Sequence, residues 1–338
     1  MYLAAMPDRL SENPEDVGGV ALHDVLSALL ATIRLTGALQ FCFMPTGEWE
    51  TDATPSLKAL ASARGSGAIP FHIVAEGTCW LRVEDTETTL RTGDVVVFPF
   101  GTGHQLGVGR GGRLVTPTVD LPPKPWREIP ILRYGEGGPG VRMLCGYLMC
   151  EAMAFAPFSQ ALPKLIHVRT RGHDGADWLD ATVRQMVAEV DRPRAGSVSM
   201  LPRLTEILFI EVLRHQIMTA APHAVGWLAA LADPSISRCL SVIHDDPRRE
   251  WSLDALADVA RISRSVFAER FRAVLDTTPM QYVREWRLYL ASVALATTRQ
   301  TVADIAHDAG YESEATFSRA FSRAYGAPPA TWRTSAQS

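Results

Sequence analysis

No apolar run in the 338 residues reaches the roughly twenty that a helix needs to cross a bilayer, so nothing here reads as a transmembrane segment. The stretch from Met1 to Asp16 has prolines and acids but no basic-then-apolar signal pattern, and residues 1–20 read as a flexible tail of a cytoplasmic protein. Five cysteines, an odd number in a long chain, argue against a disulfide framework. Lysine is absent from Pro234 to Ser338, where thirteen arginines stand against twelve aspartates and glutamates. With a net charge of −4 for the whole chain, diffuse attraction to phosphates is weak, and any nucleic-acid contact must depend on arrangement. Arginine, the cation that is present, suits bidentate contact with guanine or phosphate.

What is present is a device that occurs twice between Ser252 and Pro329. Leu253, Leu256, Ala257 and Ala260 precede a short turn, then Ser263, Phe267 and Phe271. About fifty residues on come Val302, Ile305, Ala306 and Ala309, a turn one residue longer, then Ser313, Phe317 and Phe321. Apolar residues at i, i+3, i+4 and i+7 make a one-faced helix, and each serine sits where an N-cap oxygen is wanted. Two short helices joined by a tight turn, the second with a polar outer face, form a helix-turn-helix. Ordinary packed helical hairpins are the plain alternative. Two copies, each followed by proline near its end (Pro279; Pro328 and Pro329), favour DNA binding.

The run Ala309-Gly310-Tyr311-x-Ser313-x-x-x-Phe317-Ser318-Arg319-x-Phe321-x-Arg323-x-Tyr325-Gly326-x-Pro328-Pro329-x-x-Trp332-Arg333 resembles the signature of AraC/XylS-type transcription regulators. The resemblance covers roughly the last hundred residues. It implies an all-α domain over 233–338 with helix-turn-helix units at 252–275 and 301–325, joined by a long helix that fits Met280 to Ala296.

Upstream, Asp24 to Thr36 has helical spacing. From Gly37 to about Leu148 short alternating runs broken by Gly and Pro indicate a β-sandwich or barrel. Within them Gly93-x5-Pro99-x-Gly101-x2-His104 is similar to the second sequence motif of cupins, small jelly-roll barrels. Enzymatic cupins hold a metal with two closely spaced histidines, a carboxylate and a later histidine. Here the His-x-His pair is missing and Glu76 is displaced toward a hairpin turn, which speaks against a metal-dependent cupin enzyme with an appended helical domain. A barrel that keeps its cavity without those ligands suits an effector-sensing domain, placed at 21–170.

His72, His104 and Cys145 fall on expected strands or their ends, a donor set suited to an effector or a transition metal such as Zn²⁺. Cys145 and Cys150, five apart, face opposite sides of a regular strand. Cys42 alternates against Leu39, Phe41 and Phe43, so its side is open to a redox pair with Cys145. The other reading makes all five cysteines small buried hydrophobes, His72 a satisfied core residue and His104 a strand-end hydrogen-bonding group.

After Pro157 the period turns helical. Trp178, Leu179, Val183, Met186, Val187 and Val190 form one stripe, and Leu201 to His215 a second, with Asp191 to Gly196 as the turn. These helices, within a segment at 171–232, either cap the barrel or pair two subunits, and the resemblance favours a homodimer. Trp227, Leu228 and Leu231 are too apolar for a free linker.

Helix geometry sorts the DNA-reading residues. With Phe267, Phe271 and Leu275 inward, Arg264, Ser265, Ala268, Glu269 and Arg272 face out. With Phe317, Phe321 and Tyr325 inward, Glu314, Ala315, Ser318, Arg319 and Ser322 face out. The resemblance makes Ser265, Ala268, Glu269, Glu314, Ala315 and Arg319 base-facing, with Arg319 the foremost reader, through guanine O6 and N7. Arg264, Arg272 and Arg323 are expected on the phosphate backbone. The whole reads as an α+β multidomain regulator that binds double-stranded promoter DNA, works with RNA polymerase as an activator, responds to a small molecule, metal or oxidant, and catalyses nothing.

Overall fold

The computed structural model describes residues 25–32, 35–64, 68–170, 177–219 and 225–337; the expected tail at 1–20 lies outside them. The described residues hold eleven strands: β1 (Leu35–Pro45), β2 (Trp49–Asp52), β3 (Ala68–Glu76), β4 (Thr78–Val83), β5 (Thr86–Arg91), β6 (Asp94–Val97), β7 (His104–Val108), β8 (Arg113–Leu114), β9 (Ile131–Tyr134), β10 (Arg142–Cys150) and β11 (Ile166–Arg169). They form two sheets, of order β11-β6-β3-β10-β1-β9 and β5-β4-β7-β2-β8. Phe41, Phe43, Val74, Leu81, Leu106 and Met143 fill the space between them. This is the jelly-roll barrel expected from the alternating runs.

Helix α1 (Val25–Thr32) precedes the barrel, and α2 (Thr54–Arg64) interrupts it where the sequence reading placed only strands. The signal for α2 was local: Asp52 Oδ1 accepts from the Thr54 backbone N–H at 2.8 Å, and Pro55 stands in the first helical turn, where its missing donor costs nothing.

A 3₁₀ turn (Glu151–Ala154) and α3 (Ala156–Gln160) lead to the antiparallel pair α4 (Asp177–Asp191) and α5 (Ser197–Met218), joined through Gly196 at φ 92°. Helix α5 lies on β1 so closely that a Cβ on Gly37 would meet the Thr205 Cβ at 2.5 Å. The pair therefore caps the barrel. Trp178, expected inside the α4 stripe, is 74% exposed instead, whereas Leu179, Val183, Met186 and Val190 are buried.

Helices α6 (Trp227–Ala232), α7 (Pro234–Asp245), α8 (Leu253–Ala260), α9 (Arg264–Leu275), α10 (Pro279–Thr297), α11 (Val302–Asp308), α12 (Glu314–Tyr325) and α13 (Pro329–Gln337) complete the chain. Ser263 and Ser313 cap α9 and α12, accepting from Val266 and Thr316 N–H groups, and Thr301 with Asp304 closes a capping box on α11. The helix α10 is shared. Tyr282, Val283, Trp286 and Tyr289 from its first half join one core, and Leu288, Ala291 and Leu295 join a second with Ile305, Phe317 and Phe321. Trp332 seals that second core, its indole N–H donating to the Ser292 carbonyl at 3.3 Å.

The first core does not stop at the helix-turn-helix. It runs without a break from Ile69, Phe71 and Leu148 of the barrel, through Phe155 and Phe158, to Trp227, Leu240, Phe271 and Trp286. Phe155 is the wedge. Its ring lies 5.8 Å from Tyr282, 5.2 Å from Trp286 and 5.4 Å from Tyr289. Trp227 Nε1 donates to the Tyr282 hydroxyl at 2.8 Å, and His244 Nε2 lies at the same distance from that oxygen. A second helix-turn-helix with its own core thus hangs from a first that is packed into the barrel.

Candidate nucleic-acid interface and barrel pocket

The outer faces of α9 and α12 carry the expected DNA readers. Arg264, Ser265, Glu269 and Arg272 are exposed on α9, with Ala268 half-buried. Glu314, Ala315, Arg319 and Arg323 are exposed on α12, with Ser318 half-buried. The burial of Phe267, Phe271, Phe317 and Phe321 at four-residue spacing sets this orientation. Ala268, Glu269 and Arg272 line one open groove with Leu253, Thr278 and Met280. Arg264 is held by Asp254 of α8 at 3.2 Å, so that guanidinium is already oriented from within the unit. Among the described residues Arg319 donates only to the Thr316 hydroxyl, at 3.4 Å, leaving most of its donor fork for a partner.

Other arginines do internal work that the sequence reading did not assign. Arg270 binds Asp233, the N-cap of α7, at 2.8 Å, and Arg248 bridges to Asp308 of α11 at 2.7 Å. Arg287 donates to the carbonyls of Pro247 and Arg249 at 2.6 and 2.8 Å. It sits so close to Gly310, at φ 77°, that any side chain there would strike the guanidinium.

In the barrel, the register of β3 against β10 places Cys145 opposite His72. His72 Nδ1 lies 3.1 Å from Cys145 Sγ, its Nε2 lies 2.8 Å from His104 Nε2, and His104 Nδ1 lies 2.9 Å from the Thr102 carbonyl. The three expected site residues therefore form one chain. Phe98 stacks on His104 at 3.8 Å and shields it. Burial pushes the His104 pKa down to about 4 and that of His72 well below 6.5, and it raises the Cys145 thiol. His72 and Cys145 line a pocket of about 120 Å³ whose other walls include Phe41, Phe43, Leu57 and Leu106.

This arrangement does not fit a single metal ion. The thiol and the second histidine meet opposite nitrogens of the His72 ring, so the three do not converge, and no metal-holding group of three or more His, Cys, Asp or Glu occurs among the described residues.

The expected pairing of Cys42 with Cys145 is also corrected. Cys42 aligns with Leu144 and packs in the core beneath α5, whereas Cys145 aligns with Phe41 and faces the barrel interior. Cys42 alternates against Phe41 and Phe43, and because those two share the interior with Cys145, Cys42 faces away from it; Leu39, across an irregularity between Leu39 and Phe41, joins the Cys42 face. Cys42 instead meets Arg142 at 3.5 Å, and Arg142 binds Asp191 of α4, tying barrel to helix pair.

Two buried neutral histidines make the fold acid-sensitive. His244 is pushed down to about 3 by burial, as His104 is to about 4. Both pKa values lie below that of an unfolded histidine, so stability is complete above pH 6.5 and is lost as pH falls. Each histidine costs about 1.4 kcal/mol per pH unit in that window. Urea unfolding at pH 7 and pH 5 is expected to show the loss, and His244→Phe should flatten it.

Against known proteins, a cupin family model matches residues 24–218 and a helix-turn-helix domain model residues 256–335. A putative AraC-like transcription regulator of Streptomyces lividans is 32% identical, covering 92% of this chain and 97% of its own. The HTH-type transcriptional regulator AlkR of Acinetobacter baylyi is 28% identical, covering 92% and 99%. The solved DNA-binding domain of AdpA in complex with a target DNA is 26% identical over 30% of this chain and 92% of its own, with a TM-score of 0.29. A jelly-roll barrel of the cupin type and paired helix-turn-helix units together define a DNA-binding transcription regulator. The chain belongs to the AraC-like family of such regulators with a cupin N-terminal domain. No described helix is long and apolar enough to cross a membrane.

Proposed function

We propose that this regulator acts in the cytoplasm as an effector-controlled homodimeric activator, its barrel pocket setting how α9 and α12 meet promoter DNA. The observation that carries the reading is the unbroken core from barrel to α10. Cys145 and Phe155 are ten residues apart, on and just beyond the same strand β10. A ligand that shifts β10 therefore moves the wedge against Tyr282 and Trp286. Helix α10, 19 residues and roughly 28 Å long, carries one reading helix near each end, a span close to one turn of duplex. Enzymatic chemistry through a cupin metal has no support from the donor geometry. Duplex selection with the full-length chain is expected to enrich a bipartite motif with segments about one turn apart. Failure to enrich any motif would overturn the reading.

The outer face of α5 supports the dimer. Met200, Ile207 and Met218 are exposed at 45%, 45% and 72%, and helical spacing puts them on one line. Ile207→Glu is expected to convert a dimer to monomer in light-scattering chromatography and to weaken binding to a two-half-site operator at least tenfold. An unchanged mass would place the dimer contact elsewhere. Recruitment of RNA polymerase belongs to the same proposal and is checked by run-off transcription on the selected promoter.

A further inference from the structure

The hydrogen-bond chain in the barrel has a direction, and that direction identifies a chemistry. The Thr102 carbonyl can only accept, so His104 Nδ1 bears the proton across their 2.9 Å contact. In the neutral ring Nε2 is then bare, and His72 Nε2, 2.8 Å away, must donate to it. Neutral His72 is left with a bare Nδ1, and Cys145 donates its S–H across 3.1 Å. One backbone carbonyl thus fixes both tautomers and holds a thiol against a base. His72 is partly exposed and lines the pocket together with Cys145.

The pocket around this pair is small and mostly apolar. Among the described residues, Asp52, which caps α2, is its one acidic lining residue and no lysine or arginine lines it, so a carboxylate or phosphate would find no counter-charge there. No second thiol lines it either. Cys79 packs in the same interior but not on the pocket wall, and Cys42 faces the other side of the sheet.

We infer that Cys145 and His72 form a thiol–imidazole trap that binds a small uncharged α,β-unsaturated carbonyl compound by covalent addition. As the sulfur bonds to the β-carbon, the C=C pair moves onto the α-carbon and carbonyl. The thiol proton passes to His72 Nδ1 and then to the α-carbon, restoring neutral imidazole. Nothing leaves, and no oxidant or reductant is consumed. The His72–His104–Thr102 chain steadies the transient imidazolium through its Nε2–H, which makes His72 the general base and His104 its positioning residue. The protonated, enclosed thiol stays inert toward bulky or charged reagents, which supplies selectivity. This trap rests on the barrel pocket being the effector site.

The test treats the full-length protein with trans-2-hexenal and, separately, with iodoacetate, and follows intact mass, peptide mapping and binding to the selected operator duplex. A single hexenal adduct on Cys145, slow reaction with iodoacetate, no adduct in Cys145→Ser, and a rate roughly a hundredfold lower in His72→Gln with unchanged melting would support the trap. Hexenal addition at another cysteine, an equal rate in His72→Gln, or equal reaction with iodoacetate would overturn it. Thiols lost only to a disulfide after peroxide, with no hexenal adduct, would also overturn it. If the Cys145 adduct forms and operator affinity is unmoved, the trap stands and the effector reading falls.

Discussion

Arg319→Ala is expected to lower affinity for the selected operator by about 1–3 kcal/mol, roughly five- to 150-fold, while binding to random duplex changes little. Phe317 and Phe321 are fully buried, so the helix face four residues wide between them and solvent is fixed, and Arg319 lies on it. Among the described residues its one hydrogen bond is the long 3.4 Å contact with Thr316, so most of its donors remain for a base edge. Arg264 makes the contrast. Held by Asp254, it suits a phosphate, and Arg264→Ala should weaken all duplexes alike and reduce the salt slope by about one. Filter binding or anisotropy at two salt concentrations separates the two. Equal losses on operator and random duplex for Arg319→Ala would remove it from base reading.

The second large effect concerns Phe155. Truncation to alanine removes a ring that is 1% exposed and touches Tyr282, Trp286 and Tyr289. A cavity of that kind costs about 3–5 kcal/mol, a large part of the stability of an ordinary domain. Because the ring joins barrel to α10, the loss should also split the unfolding. Urea titrations followed by tryptophan fluorescence and by far-ultraviolet dichroism are expected to coincide in the wild type and to separate in Phe155→Ala. A loss below about 1 kcal/mol would mean the cavity closes around the wound and the wedge carries no coupling.

The parts of this architecture that read directly from the sequence are those set locally. N-cap serines, four-residue aromatic spacing and proline stops define α8, α9, α11 and α12 because helix formation depends on neighbours in the chain. Alternating runs likewise reveal the barrel strands. The His72, His104 and Cys145 grouping was open to inference because all three fall on strands or their ends that a jelly roll brings together. Their polarity was not, since it depends on the Thr102 carbonyl.

Long-range and irregular features stayed hidden. Phe155 sits in a short connection and finds its partners in α10, more than a hundred residues away, where no periodicity can point. Cys42 does leave the face of Phe41 and Phe43, but that these two and Cys145 line the barrel interior is set by how the sheets close, which the alternation within one strand cannot show. Helix α2 escaped because its apolar positions, Leu57 and Leu60, are few and lean on the pocket rather than on a continuous core.

Barrel and first helix-turn-helix unit form one packed body, with the second unit carried on α10. Native-state hydrogen exchange across a urea series tests it most directly. Amides of β3, β10 and the first half of α10 are expected to open with one common free energy, and those of α11 and α12 with a separate, lower one. Independent opening of the barrel strands and of α10 would contradict the claim and leave the pocket without a route to DNA.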